Sequence, residues 1–128
     1  MRILFVCTGN ICRSPFAEAV ARSAGLEAES AGLDAYDGSG PTDDAVAVAR
    51  ELGYDLSSHR ARHLTHELLE GADVVVGMTA AHVSVLGGRA RLLGDADLDD
   101  PYGCGPEAYR RAYTRIERDV RKLVSEHA

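Results

Sequence analysis

Apolar residues in this chain alternate between short unbroken runs and longer stretches with helical spacing. Arg2 to Val6 reads R-I-L-F-V, β-branched and aromatic with no polar alternation, the pattern of a strand covered on both faces of a parallel sheet. Ser14 is placed to cap a helix, Pro15 fits its first turn, and Phe16, Ala17, Ala19, Val20 and Ala24 follow at helical spacing until Gly25. Leu26 to Ala31 predicts a second strand. The glycine-rich, acidic stretch Gly32 to Pro41 predicts a loop leading to a helix near Thr42, with Ala45, Val46, Ala49 and Leu52 on its buried face and Gly53 at its end. Ala72 to Met78, built on V-V-V, predicts a third strand, and Thr79 caps the helix carrying Val83 and Leu86, which Gly87 and Gly88 end. A short fourth strand is expected over Arg91 to Gly94, followed by an acidic loop from Asp95 to Gly105 with turn chemistry at Asp100-Pro101. In the last helix Tyr109, Ala112, Tyr113, Ile116, Val120, Leu123 and Val124 share one face, and Arg111, Arg115, Arg118 and Lys122 lie on others.

Strands alternating with helices predict an α/β domain over residues 1–128: a doubly wound, four-stranded parallel sheet with helices on both faces. Ligands of such sheets sit at the carboxyl ends of the strands, so the turn that follows Val6 lies on the functional edge.

Composition narrows the function. With 128 residues and 45% hydrophobic content the chain can build a core without disulfides or a metal. The apolar run after Met1 is too short for a secretory signal or a bilayer span, which predicts a cytoplasmic protein with no membrane partner. Three cysteines are an odd count, expected to stay reduced. A formal net charge of −6 argues against nucleic acid as a partner, so an anionic substrate needs a focused local site.

Such a site is legible in C-T-G-N-I-C-R-S, from Cys7 to Ser14, where a cysteine and an arginine flank a turn running from a buried strand into a helix. Wrapped around an anion, this turn aims successive backbone N–H groups inward and adds the positive end of the following helix, forming a phosphate-binding loop at the end of the first strand. Gly9 permits the tight wrap. The same field favours a thiolate at Cys7, to which Ser14 can donate a hydrogen bond. Arg13 supplies a planar, permanently charged fork for two phosphoryl oxygens. The loop lacks the G-x-x-x-x-G-K-[ST] of nucleotide sites, and Cys7 and Cys12 lack C-x-x-C spacing, so covalent phosphoryl transfer without metal or cofactor is the better reading.

V-C-T-G-N-I-C-R-S-P, from Val6 to Pro15, resembles the signature of the low-molecular-weight protein tyrosine phosphatases. Ser30-Ala31-Gly32, Ser58-His59-Arg60-Ala61-Arg62, Met78-Thr79 before His82, and Asp100-Pro101-Tyr102-Gly103 follow in the family's order. The resemblance implies that Cys7 attacks phosphorus through a phosphocysteine intermediate, that Arg13 binds the phosphoryl oxygens, and that Asp100, rather than its neighbour Asp99, is the general acid and base. It implies that Asn10 holds the loop through a polar network with Ser14, Ser30 and His59, and that Cys12 can pair reversibly with Cys7 under oxidation. It gives Cys104 no role. Ile11, Tyr36 and Tyr102 become walls of a phenyl pocket. Ile11 points to phosphotyrosine, because relatives acting on phosphoarginine tend to carry threonine there; Gly103 points the other way, since many tyrosine phosphatases have a second aromatic at that position. The implied partner is a phosphotyrosine-containing protein or peptide, with inorganic phosphate as product. The alternatives are a protein arginine phosphatase, an arsenate reductase coupled to a small-molecule thiol, and an inactive phospholigand sensor.

Overall fold

The computed structural model describes residues 1–127. Its centre is β1 (Arg2–Cys7), which pairs in parallel with β2 (Glu27–Gly32) on one side and β3 (Val74–Gly77) on the other; β3 then pairs with β4 (Ala90–Leu92), giving the order β2-β1-β3-β4. Every pairing is parallel, with Cys7 opposite Gly32 and Val6 opposite Gly77. Because side chains alternate along a strand, β1 feeds two apolar layers. Ile3, Phe5 and Cys7 pack with residues of α1 (Arg13–Ser23), α2 (Asp43–Glu51) and α5 (Pro106–Glu126). Leu4 and Val6 pack on the other face with Val75 and Leu86, against Leu68 and Leu69 of α3 (His66–Glu70); α4 (Ala80–Val85) leads into Leu86. The absence of alternation in R-I-L-F-V is thereby explained.

The predicted cap at Thr79 is present, accepting from His82 N–H, and Thr42, near which a helix was expected, caps α2 by accepting from Ala45 N–H. The Tyr109–Leu123 face of α5 is buried as its spacing requires. Strand bounds shift by a residue or two: β2 extends to Gly32, β3 is confined to Val74–Gly77, and β4 lies at Ala90–Leu92 instead of Arg91–Gly94. Helix α3 went unread because five residues, H-E-L-L-E, are too few to display a period; Thr65 caps it by accepting from Leu68 N–H.

One local prediction is overturned. Ser14 does not cap α1, whose N-cap is Cys12 and has no side-chain cap. The Ser14 hydroxyl is turned instead toward Cys7. Pro15 remains within the first turn, where its missing N–H is harmless. At the far end of α1, Gly25 takes φ of 92° and Leu26 N–H returns to Ala21 C=O, the reversal that ends the helix.

Candidate active site

Cys7 is the last residue of β1 and is 1% exposed. Beyond it the chain turns through Thr8 to Cys12 before α1 begins, and Asn10 sits there at φ of 55°, the one non-glycine residue with positive φ among those described. Asparagine tolerates that conformation better than most residues, and its side chain is fully engaged. Asn10 Nδ2 donates to Ser14 Oγ at 2.8 Å and to Ser30 Oγ at 2.9 Å, and Asn10 Oδ1 accepts from Arg62 N–H at 3.0 Å. With both donors and the acceptor matched, the amide orientation is fixed.

Proton counting then sets direction in the network. Ser14 Oγ accepts from Asn10, so its own hydrogen is left for Cys7 Sγ, 2.9 Å away. Asn10 N–H lies 3.3 Å from the same sulfur, so two donors converge on Cys7. On the other branch Ser30 Oγ accepts from Asn10 and donates to Glu18 Oε1 at 2.6 Å. His59 Nε2 is 2.7 Å from Asn10 C=O and donates to it. The predicted supports Asn10, Ser14, Ser30 and His59 therefore form one connected network. Glu18, one helical turn beyond Ser14, and Arg62 complete it; Glu18 was not read from the sequence, and Arg62 was read only as part of the Ser58–Arg62 motif, with no role in the network.

Gly32 explains how closely the loop rests on the sheet. A Cβ there would meet Thr8 O at 2.6 Å, Ala35 Cβ at 2.8 Å and Asn10 N at 3.0 Å. Leu33 N–H and Asp34 N–H donate to the carbonyls of Cys7 and Thr8, tying the following loop to the same turn. From the opposite side, Tyr113 of α5 stacks on Phe16 at 4.0 Å and donates its hydroxyl to Cys12 C=O at 2.6 Å. Burial, reinforced by Cys12, pushes the Tyr113 hydroxyl far above the tyrosine range, so it stays a donor.

Arg13, 3% exposed, has Nη1 fixed by Leu98 C=O at 2.9 Å, while Nη2 lies 3.6 Å from Asp100 Oδ2. Its Nε is buried with no hydrogen-bond partner among the described residues. An orphaned charged donor costs free energy unless something fills its place, and the Nε/Nη2 edge is the one a bidentate oxyanion would take.

A cavity of about 170 Å³ opens over the sulfur, lined by Cys7, Thr8, Gly9, Ile11, Cys12, Arg13, Asp100 and Tyr102. Asp100 is thus in the lining and Asp99 is not. Asp100 Oδ1 accepts from Tyr102 N–H at 3.1 Å and from the Cys12 thiol at 3.5 Å. Burial, and then the neighbouring Cys7 and Asp100, push the Cys12 thiol well above its ordinary range, which keeps it protonated for that bond. Cys7, Cys12 and Cys104 are all free. Tyr36 does not line the cavity. It stands 80% exposed on the loop that Asp34 ties to Thr8, while Tyr102 is 61% exposed at the rim. Cys104 is exposed, 3.5 Å from Tyr102 C=O. No helix among the described residues is long and apolar enough to cross a membrane.

The chain is similar in sequence and fold to known proteins. Residues 2–128 match the family model for low molecular weight phosphotyrosine protein phosphatase. The chain is 40% identical over 130 residues to the probable low molecular weight protein-tyrosine-phosphatase EpsP of Ralstonia solanacearum, covering 92% of this chain and 90% of that one. The YwlE arginine phosphatase from Geobacillus stearothermophilus superposes with a TM-score of 0.92 at 34% identity, covering 98% and 91% of the two chains. The tyrosine phosphatase Wzb from Escherichia coli K30, solved in complex with sulphate, superposes with a TM-score of 0.94 at 28% identity, covering 99% and 98%. With a family match spanning nearly the whole chain and relatives alike in both sequence and fold, this chain belongs to the low molecular weight phosphotyrosine protein phosphatase family.

Proposed function

We propose that the chain hydrolyses phosphotyrosine in proteins or peptides through a phosphocysteine intermediate. The observation that carries this reading is that Arg13, whose buried Nε has no partner among the described residues, lines one cavity with Cys7 and the carboxyl group of Asp100. Cys7 attacks phosphorus as the thiolate, while Arg13 and the N–H groups of the loop from Cys7 to Ser14 take the phosphoryl oxygens. Asp100 gives its proton to the departing phenolate oxygen as the phosphorus–oxygen bond breaks. As a carboxylate it then accepts a proton from the water that attacks phosphocysteine, which releases inorganic phosphate and restores the Cys7 thiolate. Asn10, Ser14, Ser30 and His59 act as supports rather than reactants. No cofactor takes part, and the three free thiols fit a reducing cytoplasm.

Ile11 and Tyr102 at the cavity suit a flat phenolic leaving group; Tyr36, outside it, would contact the surrounding peptide. The arginine phosphatase among the similar structures makes phosphoarginine the second substrate to compare. The test is a set of side-by-side rates on phosphotyrosine, phosphoserine and phosphoarginine peptides, with Cys7→Ser, Asp100→Ala and Asp99→Ala variants. Phosphotyrosine is expected to turn over fastest, Cys7→Ser to lose hydrolysis while still binding phosphate, and Asp100→Ala to slow poor leaving groups most. A faster rate on phosphoarginine, the leaving-group effect appearing in Asp99→Ala instead, or robust arsenate reduction with a small-molecule thiol would overturn the reading.

A further inference from the structure

His82 is a buried imidazole that the phosphatase mechanism leaves unused. It lies in the first turn of α4, 6% exposed, and packs on Gly77 so closely that a Cβ on that glycine would come within 3.0 Å of His82 Cβ. Gly77 is the β3 residue opposite Val6, one position before Cys7. The ring's two nitrogens have different neighbours. Met78 N–H, which can only donate, points at Nδ1 from 3.3 Å, and Thr8 Oγ1 lies 3.1 Å from Nε2. Nδ1 therefore accepts, the ring proton sits on Nε2, and Nε2–H donates to the Thr8 hydroxyl oxygen.

This assignment leaves the Thr8 hydroxyl hydrogen to be placed. Thr8 Oγ1 has no other hydrogen-bond partner among the described residues, and Thr8 lines the cavity over Cys7. We propose that His82 is a positioning residue that holds Thr8 with its hydroxyl proton presented to the cavity, where it donates to a phosphoryl oxygen of the bound substrate. The inference rests on the phosphatase reading above and adds a side-chain donor to the backbone cradle.

The ring's surroundings support a fixed, neutral imidazole. Thr79 Oγ1 accepts His82 N–H, Asp97 Oδ1 accepts Ala80 N–H, and Leu98 N–H donates to Met78 C=O, so α4 and the end of β3 are tied to the segment that also anchors Arg13. The charged groups acting on the ring are Arg13, Asp100 and Asp97. Burial first and Arg13 second hold the imidazole below its ordinary range, against the opposing pull of the two carboxylates. A charged ring would set two donors, Nδ1–H and Met78 N–H, against each other.

The test is steady-state hydrolysis of an aryl phosphate, with inhibition by inorganic phosphate, for Thr8→Val, His82→Leu, His82→Gln and the double variant Thr8→Val/His82→Leu. Thr8→Val is expected to lower kcat/KM about ten-fold or more, the scale of one hydrogen bond to a charged group, and to weaken phosphate inhibition in step. His82→Leu should match it, the double variant should lose no more than Thr8→Val alone, and His82→Gln, whose amide can still donate to Thr8, should recover at least half of the loss on a logarithmic scale. Thr8→Val within two-fold of the parent, or a His82→Leu loss that persists in full on the Thr8→Val background, overturns the proposal. If His82→Leu fails to fold, Thr8→Val and His82→Gln decide by the same criteria. A Cys7→Ser control separates the two levels: retained hydrolysis there refutes the phosphatase reading, whereas a dead Cys7→Ser beside an unaffected Thr8→Val refutes only the His82–Thr8 inference.

Discussion

Replacing Asn10 by alanine deletes the bonds to Ser14, Ser30 and Arg62 N–H while leaving its backbone bonds to Cys7 and His59 in place. Each of these buried bonds contributes about 1 kcal/mol net, and alanine held in the left-handed region costs about 1 kcal/mol more. The expected loss is about 4 kcal/mol, a large part of a stability on the order of 5–15 kcal/mol. With a urea slope of about 2 kcal/mol per molar, the unfolding midpoint should fall by about 2 M. Asn10→Gly loses the same bonds but accepts the φ of 55°, so after the entropy of its unfolded chain is counted it should be about 0.5 kcal/mol more stable than the alanine variant. Urea titration with and without inorganic phosphate reads both effects. Phosphate at about a hundred times its Kd adds about 2.7 kcal/mol to a protein that binds it, and this increment should shrink in either variant as the loop loosens. A midpoint shift below about 0.5 M for Asn10→Ala, or a glycine variant far less stable than the alanine one, would refute the reasoning that the amide holds a strained loop.

Two further substitutions probe the packing under the loop. Gly32→Ala would drive a methyl group into Thr8 O and Asn10 N, costing about 1–3 kcal/mol and weakening phosphate binding; Gly25→Ala, strained at φ of 92° with nothing within 4 Å, should cost about 1 kcal/mol and leave phosphate binding unchanged. Phosphate titration of the two variants checks this, and equal loss of affinity in both would sink it. Tyr113→Phe keeps the stack on Phe16 and removes only the 2.6 Å bond to Cys12 C=O, so denaturation should show a loss of about 1 kcal/mol. An unchanged midpoint would mean that the hydroxyl does not hold the loop.

How much of this was legible in the sequence depends on whether the signal was local. A strand buried on both faces needs no polar alternation, and R-I-L-F-V has none; a long amphipathic helix repeats its apolar face many times, and Tyr109 to Leu123 does so. The loop from Cys7 to Ser14 was likewise readable, because its residues are contiguous and each type has one evident use against an anion. Helix α3 was not, since a segment with no buried residue carries no period. Ser14 misled for a related reason: serine before a proline is a good cap in isolation, but a sulfur 2.9 Å away and an asparagine amide compete for the same hydroxyl.

The sequence by itself determined the four parallel strands, the long helices between and after them and the chemistry available at the end of the first strand, because these follow from neighbouring residues and short periods. Tertiary structure alone decided which distant groups meet that chemistry. It turned Tyr36 outward, set Gly32 and Tyr113 against opposite sides of the turn, and brought His82 to Thr8 across the β1–β3 pairing. Contacts between residues so far apart in the chain are fixed by strand register and helix packing, and no local pattern of side chains records them.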